Sequence, residues 1–185
     1  MNRRTVLMLV VALVGCVSPS RADHLPTNIL ARGKPETKLA GISLTERNKL
    51  ADVIKLYGRP TKVKTWKSDN PDVSTSYDYY WIRASLHLHV LVERLPRKIP
   101  NWEYVSFIAV DSGTSRKIGR TGKGLRIGDY LRDLKRIYGH RLKIRDIPKL
   151  RIHDVMIQWH SEEYSLVATL DRRNKITGLG LSAPE

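Results

Sequence analysis

The chain has 185 residues, one cysteine, and 33 Lys or Arg against 18 Asp or Glu, which gives a formal net charge of +15. A single cysteine excludes a disulfide framework and a zinc site built from several thiolates. The length suits one domain or two small packed halves that need no covalent staple.

The first 22 residues have the pattern of an export signal. A basic start is followed by an apolar run of thirteen residues, Thr5 to Val17, which is too short for the roughly 20 residues of a spanning helix but typical of a signal peptide. Leu13 to Cys16 resembles a bacterial lipobox, which implies lipid modification of Cys16. Ser20 to Ala22 instead fits ordinary cleavage and release of a soluble chain. Both alternatives predict an exported protein, in the periplasm or at the outer membrane.

Residues 23–38 are polar and contain Pro26, Gly33 and Pro35. This composition predicts a flexible tether between the signal segment and the folded part. Because Cys16 is the only cysteine, the sequence predicts no cysteine nucleophile in that folded part.

An internal repeat organises the rest of the chain. Leu50–Gly58 recurs 81 residues later as Leu131–Gly139, with its Leu, Asp, Tyr and Gly identical, and seven of the 24 positions from 41 to 64 match their echo. Self-similarity of this kind indicates duplicated structural units. We expect two units, residues 39–111 and 112–185, joined by a small polar linker at 112–119.

Each unit is predicted to begin with one short amphipathic helix. Apolar residues recur at helical spacing in both copies: Leu50, Val53, Ile54 and Tyr57 in the first, and Ile127, Leu131, Leu134 and Tyr138 in the second. Ser43 and Glu46 have the spacing of a capping box, and Gly58 and Gly139 are expected to end the helices.

Strands are predicted after each helix. Residues 85–92 alternate, which places Leu86, Leu88, Val90 and Val92 on one face and His87 and His89 on the other. Residues 77–93 align with 155–171, and 105–110 with 176–181. The predicted fold is therefore α+β: a tandem repeat of two units, each a short amphipathic helix packed on a three- to four-stranded antiparallel sheet.

Positive charge is concentrated in the second half. Residues 116–151 contain thirteen Lys or Arg and three acids. Three interpretations are open: the segment binds an anionic lipid or polysaccharide, it binds an acidic protein, or it is a solvated surface without a partner. We expect no nucleic acid partner, because no recognition motif is present. The predicted binding residues here are Arg132, Lys135, Arg136, Arg141, Lys143 and Arg145.

Three patterns suggest other chemistry, each with a simpler explanation. His87 and His89 could ligate a metal together with His160, but they are equally ordinary sheet-surface histidines. Glu162 and Glu163 could act as catalytic carboxylates or lie in an exposed turn. Residues 121–124 could bind an anion at a helix N-terminus, although they lack the full phosphate-loop pattern. We expect no metal, no cofactor and no enzymatic activity.

The four tryptophans fall into two pairs. Trp81 and Trp159 are equivalent under the repeat and are expected to pack in the core. Trp66 and Trp102 have no equivalent and lie near Lys and Arg, a composition that binding surfaces favour. They are predicted as binding residues, with a lid over the open end of the sheet as the alternative.

A family resemblance joins these observations. A lipobox, then Gly41-x-x-Leu44 before a helix ending in Leu56-Tyr57-Gly58-x-Pro60, resembles the small outer-membrane lipoproteins of the SmpA/OmlA type. The tandem form is similar to the β-lactamase inhibitor protein and its relatives, and the resemblance covers most of Leu39 to Ser182. It implies a protein-binding role: the lipoproteins are accessory subunits of outer-membrane barrel assembly, and the inhibitors clasp an enzyme on a concave sheet.

The sequence thus predicts a non-enzymatic cell-envelope protein, anchored through Cys16, that binds an envelope protein partner and contacts the membrane only through its lipid. A soluble inhibitor or ligand-binding protein of the periplasm or medium is the alternative. A metal-binding protein or hydrolase is the third hypothesis.

Overall fold

The computed structural model describes residues 31, 33–45, 49–67, 75–94, 103–140, 142–147, 152–159 and 164–183. Strand makes up 54% of this part of the chain and helix 13%. In chain order the elements are β1 (Lys38–Leu39), β2 (Ile42–Ser43), α1 (Leu50–Tyr57), β3 (Lys62–Trp66), β4 (Thr75–Arg83), β5 (Leu86–Arg94), β6 (Glu103–Asp111), α2 (Leu131–Tyr138), β7 (Lys143–Ile147), β8 (Ile152–Gln158), β9 (Ser165–Leu170) and β10 (Ile176–Ser182).

Eight strands form one antiparallel sheet in the order β3-β4-β5-β6-β10-β9-β8-β7. Its central pair is β6 and β10, in which Val110 lies opposite Leu179 and Ile108 opposite Leu181. Strands from both ends of the chain therefore share a single hydrogen-bonded surface.

The prediction of an α+β protein made of two helix-on-sheet units is wrong. The protein is mostly antiparallel β-sheet, with two helices in the described residues. Separate sheets would leave β6 and β10 as exposed edges with unpaired backbone groups, and pairing these strands satisfies those groups. Each helix has only eight residues, about 12 Å of length, so the helices supply a small part of the layer that covers the sheet.

One face of the sheet carries the core. A single cross-strand row on this face is apolar through seven strands: Val63, Tyr79, Val90, Ile108, Leu181, Leu166 and Ile157. Residues 112–130, which form no regular helix, cover much of it together with α1 and α2, and Leu125 within them is fully buried. Burying each large apolar side chain of such a row contributes about 1.5 to 3 kcal/mol.

The tryptophans expected in the core lie there. Trp81 is fully buried, and its indole Nε1 donates a hydrogen bond to the Gly58 carbonyl at 2.8 Å, which attaches the end of α1 to the sheet. Trp159 packs edge to face against Tyr138 of α2 with ring centroids 5.9 Å apart. Both helices therefore lie on the same face of the sheet.

The helical stripes are confirmed except for Ile127, which is buried but lies before α2 begins at Leu131. The capping box is wrong. Val53 and Leu134 are fully buried. The first helix begins at Leu50, too far along the chain for Ser43 to cap it, and the Asp52 carboxylate instead accepts a hydrogen bond from the Lys49 backbone N–H at 3.1 Å. Gly58 ends the helix at φ +72°, a region that favours glycine. In the part of the chain that the structure describes, neither helix has the length and apolar character to cross a membrane.

Candidate binding face

The opposite face of the sheet has no helix packed on it among the described residues. We call it the open face. One cross-strand row runs over it through all eight strands: Lys62, Tyr80, His89, Ala109, Gly180, Val167, Met156 and Lys143. A lysine stands at each end of the row, and its middle is aromatic, small or apolar.

A hollow lies at the centre of the open face. Three small residues on the central strands, Ala109, Gly178 and Gly180, form its floor, and larger side chains of β4, β5 and β9 surround it. Its volume is about 560 Å³, including the space that is open to solvent. A Cβ atom on Gly178 would lie 3.4 Å from the Thr169 side chain, so a larger residue there would begin to fill the hollow.

A buried histidine–aspartate pair borders the hollow. His89 Nε2 lies 2.7 Å from Asp78 Oδ1, and the imidazole stacks on the Tyr80 ring with centroids 4.6 Å apart. The Trp66 indole also donates to Asp78. Burial alone would raise the pKa of Asp78, but His89, Trp66 and Lys64 together hold it below its ordinary value. Burial, and then the Asp78 charge, raises the pKa of Tyr80 to about 12.

A second pair is held by the turn that follows β6. His87 Nδ1 lies 3.0 Å from Asp111 Oδ1, and the Gly113 backbone N–H donates to the same carboxylate oxygen at 2.7 Å. The Thr114 hydroxyl and the backbone of His87 exchange two hydrogen bonds, at 2.8 and 3.0 Å. Burial raises the pKa of Asp111, against the opposing effect of Gly113 and His87.

The two histidines face the same way, as the alternation predicts, but each has its own carboxylate. The described residues contain no group of three or more His, Cys, Asp or Glu placed to hold a metal ion. His160, Glu162 and Glu163 lie outside the described residues. What the arrangement offers chemically is a polar, hydrogen-bonded rim around an apolar centre.

Of the predicted binding residues, three lie on or beside the open face. Trp66 is 52% exposed on the outer strand β3, with the Lys64 ammonium 5.5 Å from the centroid of its ring. Lys143 and Arg145 lie on β7 at the other edge, where Arg145 pairs with Asp154 at 2.9 Å.

The remaining predicted residues are elsewhere. Arg132, Lys135 and Arg136 lie on α2, which packs against the other face of the sheet. Cys16, Trp102 and Arg141 lie outside the described residues. The predicted set is therefore divided between two surfaces of the molecule.

The loop at 121–124 does hold an anion, but the anion belongs to the chain. The Glu36 carboxylate accepts backbone N–H hydrogen bonds from Gly122 at 3.2 Å and Lys123 at 3.0 Å, and one from the Tyr138 hydroxyl at 2.7 Å. Glu36 is 2% exposed. Burial, and then the charge of Glu36, raises the pKa of Tyr138. We call this set of contacts the Glu36 clasp.

Sequence reasoning missed the hollow and the clasp. A signal for the hollow was present in the sequence: small residues on two strands, Ala109, Gly178 and Gly180. It becomes informative only when β6 and β10 are known to pair. No local pattern signals the clasp, because Glu36 and its partners are more than 80 residues apart.

Comparison with known proteins gives one structural likeness. The chain matches no protein family and no curated protein. It is similar to the crystal structure of a DUF4309 family protein (YjgB) from Bacillus subtilis subsp. subtilis str. 168, with 16% identity and a TM-score of 0.41, covering 75% of this chain and 80% of that one.

Proposed function

We propose that this protein is a non-enzymatic, exported cell-envelope protein, lipid-anchored through Cys16, that binds another protein on its open face. The observation that carries the proposal is the open face itself, with an apolar centre, polar pairs at its rim and exposed Trp66 at one edge. Interfaces favour this distribution of an apolar core inside a polar rim, with Trp as an anchor.

The size of the open face suits such a role. Eight strands spaced about 4.8 Å apart span about 34 Å, and strands of this length reach roughly 20 to 30 Å. The resulting area is on the order of 800 Å², which is about what one partner contributes to a standard protein interface.

Lysines at both edges indicate the preferred charge of the partner. Lys62 and Lys143 are exposed, whereas Asp78, Asp111 and Asp154 are each paired with a neighbouring side chain. A partner with an apolar centre and acidic residues near its rim fits this arrangement, and the charges would raise its association rate more than its affinity.

Two matched variants test the proposal. Ile82 on the open face is 45% exposed, and Ile144 on the other face is 51% exposed. In pull-downs from envelope extract, Ile82→Glu is expected to lose a captured protein that the wild type and Ile144→Glu both retain. Equal capture by all three forms, or no capture above a basic control protein of the same charge, would sink the proposal.

The hollow supports a second candidate function. Its floor of small residues, Ala109, Gly178 and Gly180, leaves an apolar depression at the centre of the face, and small-molecule sites are typically concave and mostly apolar with a few polar groups. A soluble periplasmic protein that binds a compact apolar ligand would use the same face. Ala109→Leu distinguishes the two functions. It should abolish the binding of a ligand in the hollow, whereas it should weaken only part of a protein interface that extends over the whole open face.

A further inference from the structure

The outer side of the layer that covers the sheet carries dense positive charge. Residues 116–140 contain eight Lys or Arg, seven of them exposed, against two acids. Both acids are already paired, Asp129 with Arg116 at 2.6 Å and Asp133 with Arg136 at 3.2 Å. We call the exposed cations of this segment the basic surface: Arg116, Lys117, Arg120, Lys123, Arg126, Arg132 and Arg136.

These cations lie on connected backbone. Arg120 and Arg126 are bridged as neighbours in a short antiparallel contact, and Tyr130, which precedes α2, is bridged to Lys175. The side chains of Arg116 and Lys175 both lie beside Gly128. The segments that carry these charges are therefore bonded to one another, and the turn before β10 adds further cations.

The N-terminal segment joins the fold at this surface. The Ala31 backbone N–H donates to the Gln158 carbonyl at 2.8 Å, and the Lys123 ammonium donates to the Lys34 carbonyl. The Glu36 clasp then fixes the following residues to the loop at 122–123. Whatever precedes Ala31 is consequently attached beside the basic surface.

The sequence before Ala31 contains the predicted membrane anchor. Cys16 lies fifteen residues before Ala31, at the end of the apolar run, and this length of chain reaches at most about 50 Å. Each Lys or Arg close to an anionic membrane surface adds about 1 kcal/mol of attraction. Charges act across only about 8 to 10 Å at physiological salt, so this attraction requires direct contact with the headgroups.

We propose that the basic surface lies against the anionic headgroups of the membrane to which the N-terminus is attached. The open face is on the other side of the sheet and is then turned away from the lipid, towards a partner. The attachment point favours lipid over an acidic protein, because the N-terminal segment joins the fold at Ala31 and Lys34, beside the cations. The inference uses the proposed anchor at Cys16 but does not depend on what the open face binds.

Vesicle binding by the full chain with Cys16→Ser tests the inference without any lipid modification. Vesicles of phosphatidylcholine are compared with vesicles of phosphatidylcholine and phosphatidylglycerol in equal parts, so that binding by the apolar N-terminal run cancels in the ratio. Lys117, Arg120 and Arg126, which are exposed and form no ion pair among the described residues, are changed together to Gln. The control changes three other exposed lysines in the same way: Lys62 and Lys143 on the open face, and Lys67 just after β3.

The preference for anionic vesicles should fall about 100-fold in the first triple variant, since each cation at an anionic surface contributes about 1 kcal/mol. The control should keep most of its preference, and Ile82→Glu should keep all of it. Circular dichroism checks that both triples are folded, and the corresponding change to Glu should enlarge the loss. An equal loss in both triples, or no loss in the first, would overturn the inference. The inference would also be overturned if the first triple variant lost binding to a soluble acidic polysaccharide but kept its preference for anionic vesicles.

Discussion

Glu36 accepts a concentrated set of hydrogen bonds in the covering layer. Its carboxylate accepts the backbone N–H groups of Gly122 and Lys123 in the loop, and those of Thr37 and Lys38 in its own segment. Because the Glu36 carboxylate is buried and also accepts the buried Tyr138 hydroxyl, Glu36→Ala would remove several partly buried hydrogen bonds at once. We expect a loss of about 3 kcal/mol in the free energy of unfolding, measured by urea denaturation.

A matched control is Asp146→Ala. The Asp146 side chain is 69% exposed and forms an ion pair with His153, so water replaces what the substitution removes, and little change is expected. Glu36→Gln should lie between these two variants, because the amide keeps one acceptor oxygen but loses the charge. If Glu36→Ala were as stable as Asp146→Ala, the clasp would not hold the segment.

The stability contributions of Asp78 and Asp111, the two aspartates that pair with histidines, should change with pH in opposite directions. The pKa of Asp78 is lowered in the folded protein, so its contribution to stability is present above its ordinary value near 3.8 and is lost as pH falls through the lower folded pKa. The pKa of Asp111 is raised, so its contribution is present below its ordinary value and is lost as pH rises through the higher folded pKa.

Urea denaturation between about pH 3 and pH 6 separates the two effects. The stability difference between the wild type and Asp78→Asn should grow as pH rises, whereas the difference between the wild type and Asp111→Asn should shrink. Parallel pH profiles for all three proteins would show that neither carboxylate has a shifted pKa.

The turn at 112–114 is the element that fixes one rim of the hollow. A Cβ atom on Gly113 would lie 2.1 Å from His87 Nδ1, so Gly113→Ala must displace either the turn or the histidine. We expect a loss of roughly 1 to 3 kcal/mol in the free energy of unfolding, together with a changed chemical shift for the His87 ring in NMR spectra. Ser112→Ala, next to it and exposed, should leave both unchanged.

Individual elements were largely predictable from the sequence. Helical spacing gave both helices, and strict alternation gave the two faces of β5, since the buried Leu88 and the paired His89 follow directly from a period of two. Helix starts were less predictable. Ser43 has good capping chemistry, yet it lies in β2, and at the observed helix start the Asp52 carboxylate accepts the Lys49 backbone N–H instead.

The joining of the eight strands β3 to β10 into one sheet could not be read from local patterns. Residues 105–110 and 176–181 have the same apolar character whether they end two sheets or meet at the centre of one, and only the pairing of distant backbone groups distinguishes the two. The same limit applies to the site. Trp66 could be predicted because it is an aromatic residue without an equivalent in the repeat. The hollow could not be predicted, because it exists only where Ala109 lies opposite Gly180. Whether an ancient duplication produced the two halves stays a prediction.

The single sheet predicts that neither half folds alone. Besides the β6–β10 pair, the start of the first half is bonded to the covering layer of the second. The Ala40 backbone N–H donates to the Arg120 carbonyl at 2.9 Å, and Leu39 is bridged to Thr121. Separated fragments 39–111 and 112–185 would each expose a long apolar edge strand and an incomplete core. We expect no cooperative thermal transition from either fragment and a restored transition when they are mixed, followed by near-ultraviolet circular dichroism. A fragment that unfolds cooperatively by itself would show that the two halves are separate folding units despite their shared sheet.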